Sequence, residues 1–379
     1  MTQHNMKERV FRIQDLVGLL HGLYPPALAE SWDNVGLQVG EPQAAVSRVL
    51  VCLDPSAGAL TEALLAGAQA LLCHHPLIFT PLKSLVPVDE TGRLVFQAVR
   101  EGIAVLAAHT NLDRARDGLN DWLAERLGLE GAIPLQTGGD DLLKLVVYVP
   151  AGYEKRVADA LFQAGAGHIG NYDCCSFRSE GIGTFRPGAG SDPFTGTIGE
   201  QSSVRELRLE TILPRERLQR VVDRMIKAHP YEEVAYDLIP LANRRPEIGL
   251  GRIGRLAEAT TLAAFAGLVK EALQVPAVRL VGAGDRRVHK VAVCGGSGAS
   301  LLGEAVRQGA DVLVTGDVKY HEARNAENRH LALVDAGHFA TEQLMVGKLA
   351  GVLRQMAAER GLEIEFLEYK GEEDPFSVI

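Results

Sequence analysis

Short apolar runs recur along this chain, each separated from the next by a stretch of helical period. Positions 48–53 are apolar after the first residue and read as a strand. A helix rich in Ala, Leu and Glu follows and stops near Gly67, and 70–73 form a second apolar strand. Runs apolar at every position, joined by crossover helices, mark parallel strands buried on both faces. The same order returns at 290–294, at a helix ending near Gly309, and at 312–315. Residues 49–72 align without gaps on 291–314, an offset of 242; Val49, Val51, Cys52, Leu60, Glu62 and Gly67 recur as Val291, Val293, Cys294, Leu302, Glu304 and Gly309.

A third pair of strands follows. Positions 105–109 lie against 334–338 at an offset of 229, which matches His109 with His338 and Asp113 with Glu342. The chain therefore reads as an α/β core of two related halves, residues 1–135 and 249–379. The interruption, 136–248, has its own order: a strand at 142–149, a helix at 154–163, strand-like runs near 171–180 and 204–212, a helix opened by Pro214 through Lys227, and a strand at 233–239. That β-α-β-β-α-β succession is the ferredoxin-like arrangement. The glycine-rich span 181–199 reads as a long loop between its middle strands.

The 379 residues are ordinary in composition, with 46% hydrophobic and 23% charged. No apolar run reaches the roughly 18 residues of a membrane helix, and the first eight positions lack a signal-peptide core. A cytoplasmic protein without a membrane partner is expected. The net charge of −9 argues against nucleic acid as a partner, because neutralising phosphates needs clustered Lys and Arg. Five cysteines without a Cys-x-x-Cys exclude a disulfide framework and a structural zinc knuckle. Cys73 precedes a His-His pair, but strand alternation turns it away from His74.

Three strand ends carry metal-ligand chemistry: Cys73-His74-His75-Pro76, His109-Thr110-Asn111-Leu112-Asp113, and Gly337-His338-Phe339-Ala340-Thr341-Glu342. Ligands in open α/β sheets gather at carboxyl ends of strands. Adjacent histidines on extended backbone point oppositely and can serve two separated ions. If 339 onward is helical, His338 and Glu342 share a face. The candidate ligands are His74, His75, Asp113, His338 and Glu342, with Glu342 as the bridge between two divalent ions. Imidazole with carboxylate suits zinc, iron or manganese. Asp33, His109 and His321 are read as groups that line the same cavity and act in catalysis or position the substrate. Asp54 and Asp317 are equally well read as caps. Gly295-Gly296-Ser297-Gly298 offers a weak phosphate cradle and is better read as a tight turn.

Together with Ser31-Trp32-Asp33-Asn34-Val35-Gly36-Leu37, these clusters resemble the Nif-three-like family, also labelled GTP cyclohydrolase 1 type 2 homologue. The resemblance covers residues 10–130 and 250–379 and implies the same five ligands of a dinuclear site. It also implies a toroidal homohexamer, and an inserted domain similar to PII and CutA proteins, to which His229-Pro230-Tyr231-Glu232 belongs. The activity it implies is metal-dependent hydrolysis of a small molecule such as a nucleotide: opening of the guanine imidazole ring with loss of C8 as formate, and His109 or His321 moving protons. The competing expectation is a non-catalytic, metal-handling or regulatory assembly.

Overall fold

Residues apolar at every position have nowhere to go but a sheet covered on both sides, and the runs near 50, 72 and 105 do pair that way. The computed structural model describes residues 10–138 and 141–377. It divides into two compact units, residues 1–137 with 246–379, and residues 138–245. In the larger unit β2 (Arg48–Cys52), β3 (Ala70–Cys73) and β4 (Ala104–Ala107) are parallel neighbours. The antiparallel strand β1 (Gly36–Val39) flanks β4, and β15 (Glu365–Glu368) runs parallel beside β2. Alternation divides the side chains. Val49, Val51, Ala70, Leu72 and Leu106 join one core with the helices Ile13–Leu23 and Leu344–Arg360. Leu50, Cys52, Leu71, Cys73 and Val105 join another with the helices Ala57–Leu65 and Glu90–Glu101. Those two helices start where Ser56 and Asp89 accept the N–H groups of Ala59 and Gly92.

The second half repeats this plan. β12 (Arg287–Val293), β13 (Val312–Thr315) and β14 (Ala332–Asp335) are parallel, and β11 (Arg279–Val281) lies antiparallel against β14 as β1 does against β4. β10 (Gly249–Thr261) and β5 (Glu130–Thr137) extend the sheet beyond β12. The ladders correct the expected match of the third strands by one residue. Cys73 faces Ala107, and its repeat partner Thr315 faces Asp335. Strand pairing thus matches His109 with Gly337, not His338. A slip of one residue turns a side chain to the other face, so the two His-x-x-x-carboxylate segments are not equivalent by descent along the ladder.

The smaller unit has the expected order. β6 (Leu142–Pro150), β7 (Ser176–Phe185), β8 (Ser202–Pro214) and β9 (Tyr236–Pro240) form a sheet in the order β7-β8-β6-β9. Helices Glu154–Ala164 and Leu218–Ala228 pack on one face through Val157, Leu161, Val221 and Met225. The glycine-rich stretch expected to be loop from 181 is strand as far as Phe185, paired with Ser202. Gly183 suits that strand because the Glu206 carboxylate lies over it; a Cβ there would sit 2.1 Å from Oε2. Among the described residues no helix is long and apolar enough to cross a membrane.

One buried charge ties the two halves of the larger unit together. Arg252 on β10 is 1% exposed, and all five of its N–H groups have acceptors. They are both oxygens of Asp121 and the carbonyls of Gly249, Gly251 and Ala115. Ala115 directly follows the helix Thr110–Arg114, so this guanidinium anchors the segment that carries Asp113. Removing one partner of a buried pair strands the other. Asp121→Ala is expected to cost about 3 kcal/mol in denaturant unfolding. The double change Asp121→Leu with Arg252→Met should recover part of that loss, and a single-variant cost within 0.5 kcal/mol, about the usual surface value, would refute the anchor.

Candidate metal centre

Each putting its chemistry at a strand end, β3, β4 and β14 deliver the polar residues to one place. β3 stops at Cys73, whose side chain stays in the apolar core, and His74 and His75 follow. His74 is fully buried; its Nδ1 donates to the carbonyl of Ala108 at 2.8 Å. A carbonyl only accepts, so this bond fixes the tautomer and leaves a lone pair on Nε2. His75 Nδ1 meets Asp54 Oδ1 at 2.7 Å, and His338 Nδ1 meets Asp317 Oδ2 at 2.7 Å. All three imidazoles are thus oriented from behind with Nε2 turned inward, the arrangement that aims and strengthens histidine ligands.

Glu342 sits where they converge. It shares one helical turn with His338, the helix His338–Glu342. Its Oε2 lies 3.0 Å from His75 Nε2 and 3.0 Å from His338 Nε2, and those two nitrogens are 3.4 Å apart. Its Oε1 lies 3.7 Å from His74 Nε2, which is 3.7 Å from Asp113 Oδ1. The sequence-derived residues His74, His75, Asp113, His338 and Glu342 therefore meet. His109 joins them, its ring nitrogen lying within 4.8 Å of ligand atoms of His74 and His75. Asp33 stands behind His109, with Oδ1 2.9 Å from Nδ1. His321 is not brought in: it is exposed on the helix Tyr320–Asn328, its ring against Tyr320.

Electrostatics at the cluster register a shortage of positive charge. Burial pushes Glu342 upward, but His74 and the bonds from His338 and His75 outweigh it and hold the carboxyl well below its usual range. Burial pulls His75 down, yet Asp54 and Glu342 hold it up at about 10. Bonding to Glu342, then to Asp317, raises His338 to about 9. Burial, with the charge of Glu342 added, raises Asp113 to about 6. His74 Nε2 and Asp113 Oδ1 are buried without a hydrogen-bond partner. A buried imidazole nitrogen and a buried carboxylate oxygen left unpaired 3.7 Å apart are costly. A divalent cation satisfies both, so the donor set fits one.

Several residues in this arrangement were not legible beforehand. Asp54 and Asp317 orient ligands and do not simply cap turns. Glu372 accepts the backbone N–H groups of Leu53 and Asp54 and so fixes the loop that holds His75; nothing in its spacing marks it. The glycine loop does not cradle phosphate. The N–H groups of Gly295, Gly296 and Gly298 go to Asn120, Thr341 and Thr315. Its glycines make room instead: a Cβ on Gly296, at φ +60°, would lie 2.2 Å from Glu342 Oε1.

Comparison with known proteins finds relatives along nearly the whole chain. The Duf34/NIF3 (NGG1p interacting factor 3) family profile matches residues 11–375. The chain is 43% identical over 367 residues to a Bacillus subtilis protein named GTP cyclohydrolase 1 type 2 homolog, covering 97% of this chain and 98% of that one. A Halalkalibacterium halodurans protein of the same name is 42% identical over 367 residues, with the same coverage. The crystal structure of a Bacillus cereus protein related to NIF3 superposes with a TM-score of 0.83 at 40% identity, covering 98% of this chain and 100% of that one.

Because Gly296 leaves space for Glu342, Gly296→Ala should displace the carboxylate and lower retention of divalent ions at least tenfold, an effect on the order of 1.4 kcal/mol. Equilibrium dialysis against zinc measures it, with far-UV circular dichroism as the check on folding. Undiminished retention in a folded variant would show that the carboxylate can turn aside at no cost.

Proposed function

This chain belongs to the Duf34/NIF3 family, and from that premise we propose that it is a metal-dependent hydrolase of the GTP cyclohydrolase 1 type 2 kind, a cytoplasmic homohexamer that holds two divalent ions and acts on a nucleotide-like small molecule. The hexamer rests on the motif resemblance. The observation that carries the two-ion reading is the way Glu342 divides its oxygens. Oε1 faces His74 and the side of Asp113, while Oε2 faces His75 and His338. One ion would take His74, Asp113 and Glu342, and the other His75, His338 and Glu342. Zinc, iron and manganese suit such imidazole and carboxylate donors.

When bound, two such ions would supply Lewis acidity and make water more acidic. The protein supplies the rest. Asp54, Asp317 and the Ala108 carbonyl keep Nε2 of the three histidines turned inward. His109 is the group placed to accept and return a proton at Nε2, because Asp33 takes its Nδ1–H. Burial alone would raise Asp33; bonds from His109 and Thr110 outweigh it and hold the carboxyl at about 2, so it stays an acceptor throughout the neutral range. The proton role goes to His109 and not to His321, whose ring lies against Tyr320.

The deciding measurement uses protein purified without a histidine tag. Metal per chain is counted, formate released from GTP is followed, and mass in solution is read by sedimentation. About two metals per chain, formate release lost in Glu342→Ala, and a hexameric mass are expected. Two metals without formate release would move the chain to the metal-handling reading. Metal-free protein that takes up no zinc would overturn the site.

A further inference from the structure

Beside the metal centre stand two large aromatic side chains that no apolar core uses. Trp32 is 57% exposed and Phe79 51% exposed, and neither packs into any of the apolar cores of this unit. A lone exposed aromatic is ordinary on a protein surface. These two touch each other, with ring centroids 5.8 Å apart and planes at 57°. Together they form one exposed aromatic patch. Trp32 also lies 6.0 Å from the ring of His109, which is 5.1 Å from His74 and 5.7 Å from His75.

Both rings are held in place by polar bonds from one short stretch of chain. Trp32 rides on a turn closed by the Asp33 N–H to the Glu30 carbonyl. That turn is clamped on both sides to Thr110, whose hydroxyl accepts from Glu30 N and whose N–H donates to Asp33 Oδ2. Phe79 follows Ile78, whose carbonyl accepts from Asn34 Nδ2 and whose N–H donates to Gln38 Oε1. Residues 33–38 thus hold the segments that carry both rings and, through Asp33, the imidazole beside them. Rigid aromatics held at the rim cost little order when something flat lands on them.

We propose that Trp32 and Phe79 form the stacking platform for a planar nitrogen heterocycle of the substrate, held with its edge toward His109 and the inward nitrogens of His74 and His75. The proposal deepens the hydrolase reading by naming what the site grips, and it rests on that reading only for the fate of the ring. A stacked base is worth 1–3 kcal/mol by truncation, which corresponds to about five- to a hundredfold in Kd.

The test is fluorescence titration of the full-length, zinc-loaded protein. The chain has two tryptophans, and Trp122 is buried, so quenching from the solvent side reports Trp32. Guanosine should quench saturably and ribose 5-phosphate should not. Trp32→Phe should abolish the signal with zinc content unchanged, and Phe79→Ala should weaken guanosine binding about five- to a hundredfold. No saturable response to guanosine, adenosine or uridine, or an unchanged Kd in Phe79→Ala, would overturn the platform. Quenching with full zinc but no formate from GTP would leave the platform standing and sink the cyclohydrolase reading instead. Absence of zinc uptake would sink the metal reading alone, since quenching is scored separately.

Discussion

Everything around the candidate metal centre answers to one constraint: carboxylates and imidazoles from separate strand ends must be gathered at one place, two of them out of contact with water. Glu342 is 4% exposed and His74 not at all. Facing them are the Nε2 atoms of His75 and His338, each 3.0 Å from Glu342 Oε2, and the Asp113 carboxylate. The two carboxylates, Asp113 and Glu342, repel each other here, and desolvation makes the repulsion worse. The chain meets the cost by fastening each ligand from behind. The Ala108 carbonyl, Asp54, Asp317 and Glu372 are all occupied in holding backbone or imidazole, so the cluster cannot relax by turning its donors outward. On the inward side His74 Nε2 and Asp113 Oδ1 stay unpaired, and there a cation is the natural counter-charge.

That fastening needs a stiff frame, and the two-sided sheets supply it. β3 and β13 are buried at every position, so a shift of either strand would disturb two apolar cores at once. A strand end on such a sheet is a fixed point, and three of the ligand segments begin within two residues of one. Arg252 adds a constraint from the second half. It holds Ala115, and through it the short helix of Asp113, against β10. A loop of five helical residues has little stability alone, so its position is set by what grips its ends.

How far the site could be read from sequence follows from the same physics. Strand and helix order, the ferredoxin-like insertion and the meeting of His74, His75, Asp113, His338 and Glu342 were legible, because periodicity and ligand-type residues at strand ends are local signals. The match of His109 with His338 was not, since a one-residue slip leaves the apolar pattern unchanged and only the ladder fixes it. Glu372 was invisible for a different reason: it acts on a backbone N–H more than three hundred residues away in sequence, and no spacing rule reaches that far. Gly296 read as no more than part of a tight turn because a glycine records only that a side chain is absent, and the object that needs the space, Glu342, belongs to another segment.

Repetition in the two halves explains why the centre is asymmetric. The ladder equivalents of His74 and His75 are Gly316 and Asp317. A side chain at 316 has no room, because a Cβ there would lie 2.5 Å from the backbone nitrogen of His338. The glycine that replaces a ligand in the second half is what lets His338 approach, and the aspartate that replaces the next ligand is what orients it, through Nδ1. The two halves therefore do different work at matched positions. The first presents imidazoles directly from β3. The second gives up side chains at the end of β13 so that a neighbouring strand can present His338 and Glu342 across the gap. Two identical halves would crowd a second pair of adjacent imidazoles into the space that His338 and Glu342 occupy, and Glu342, whose two oxygens face His74 on one side and His75 with His338 on the other, would have no counterpart.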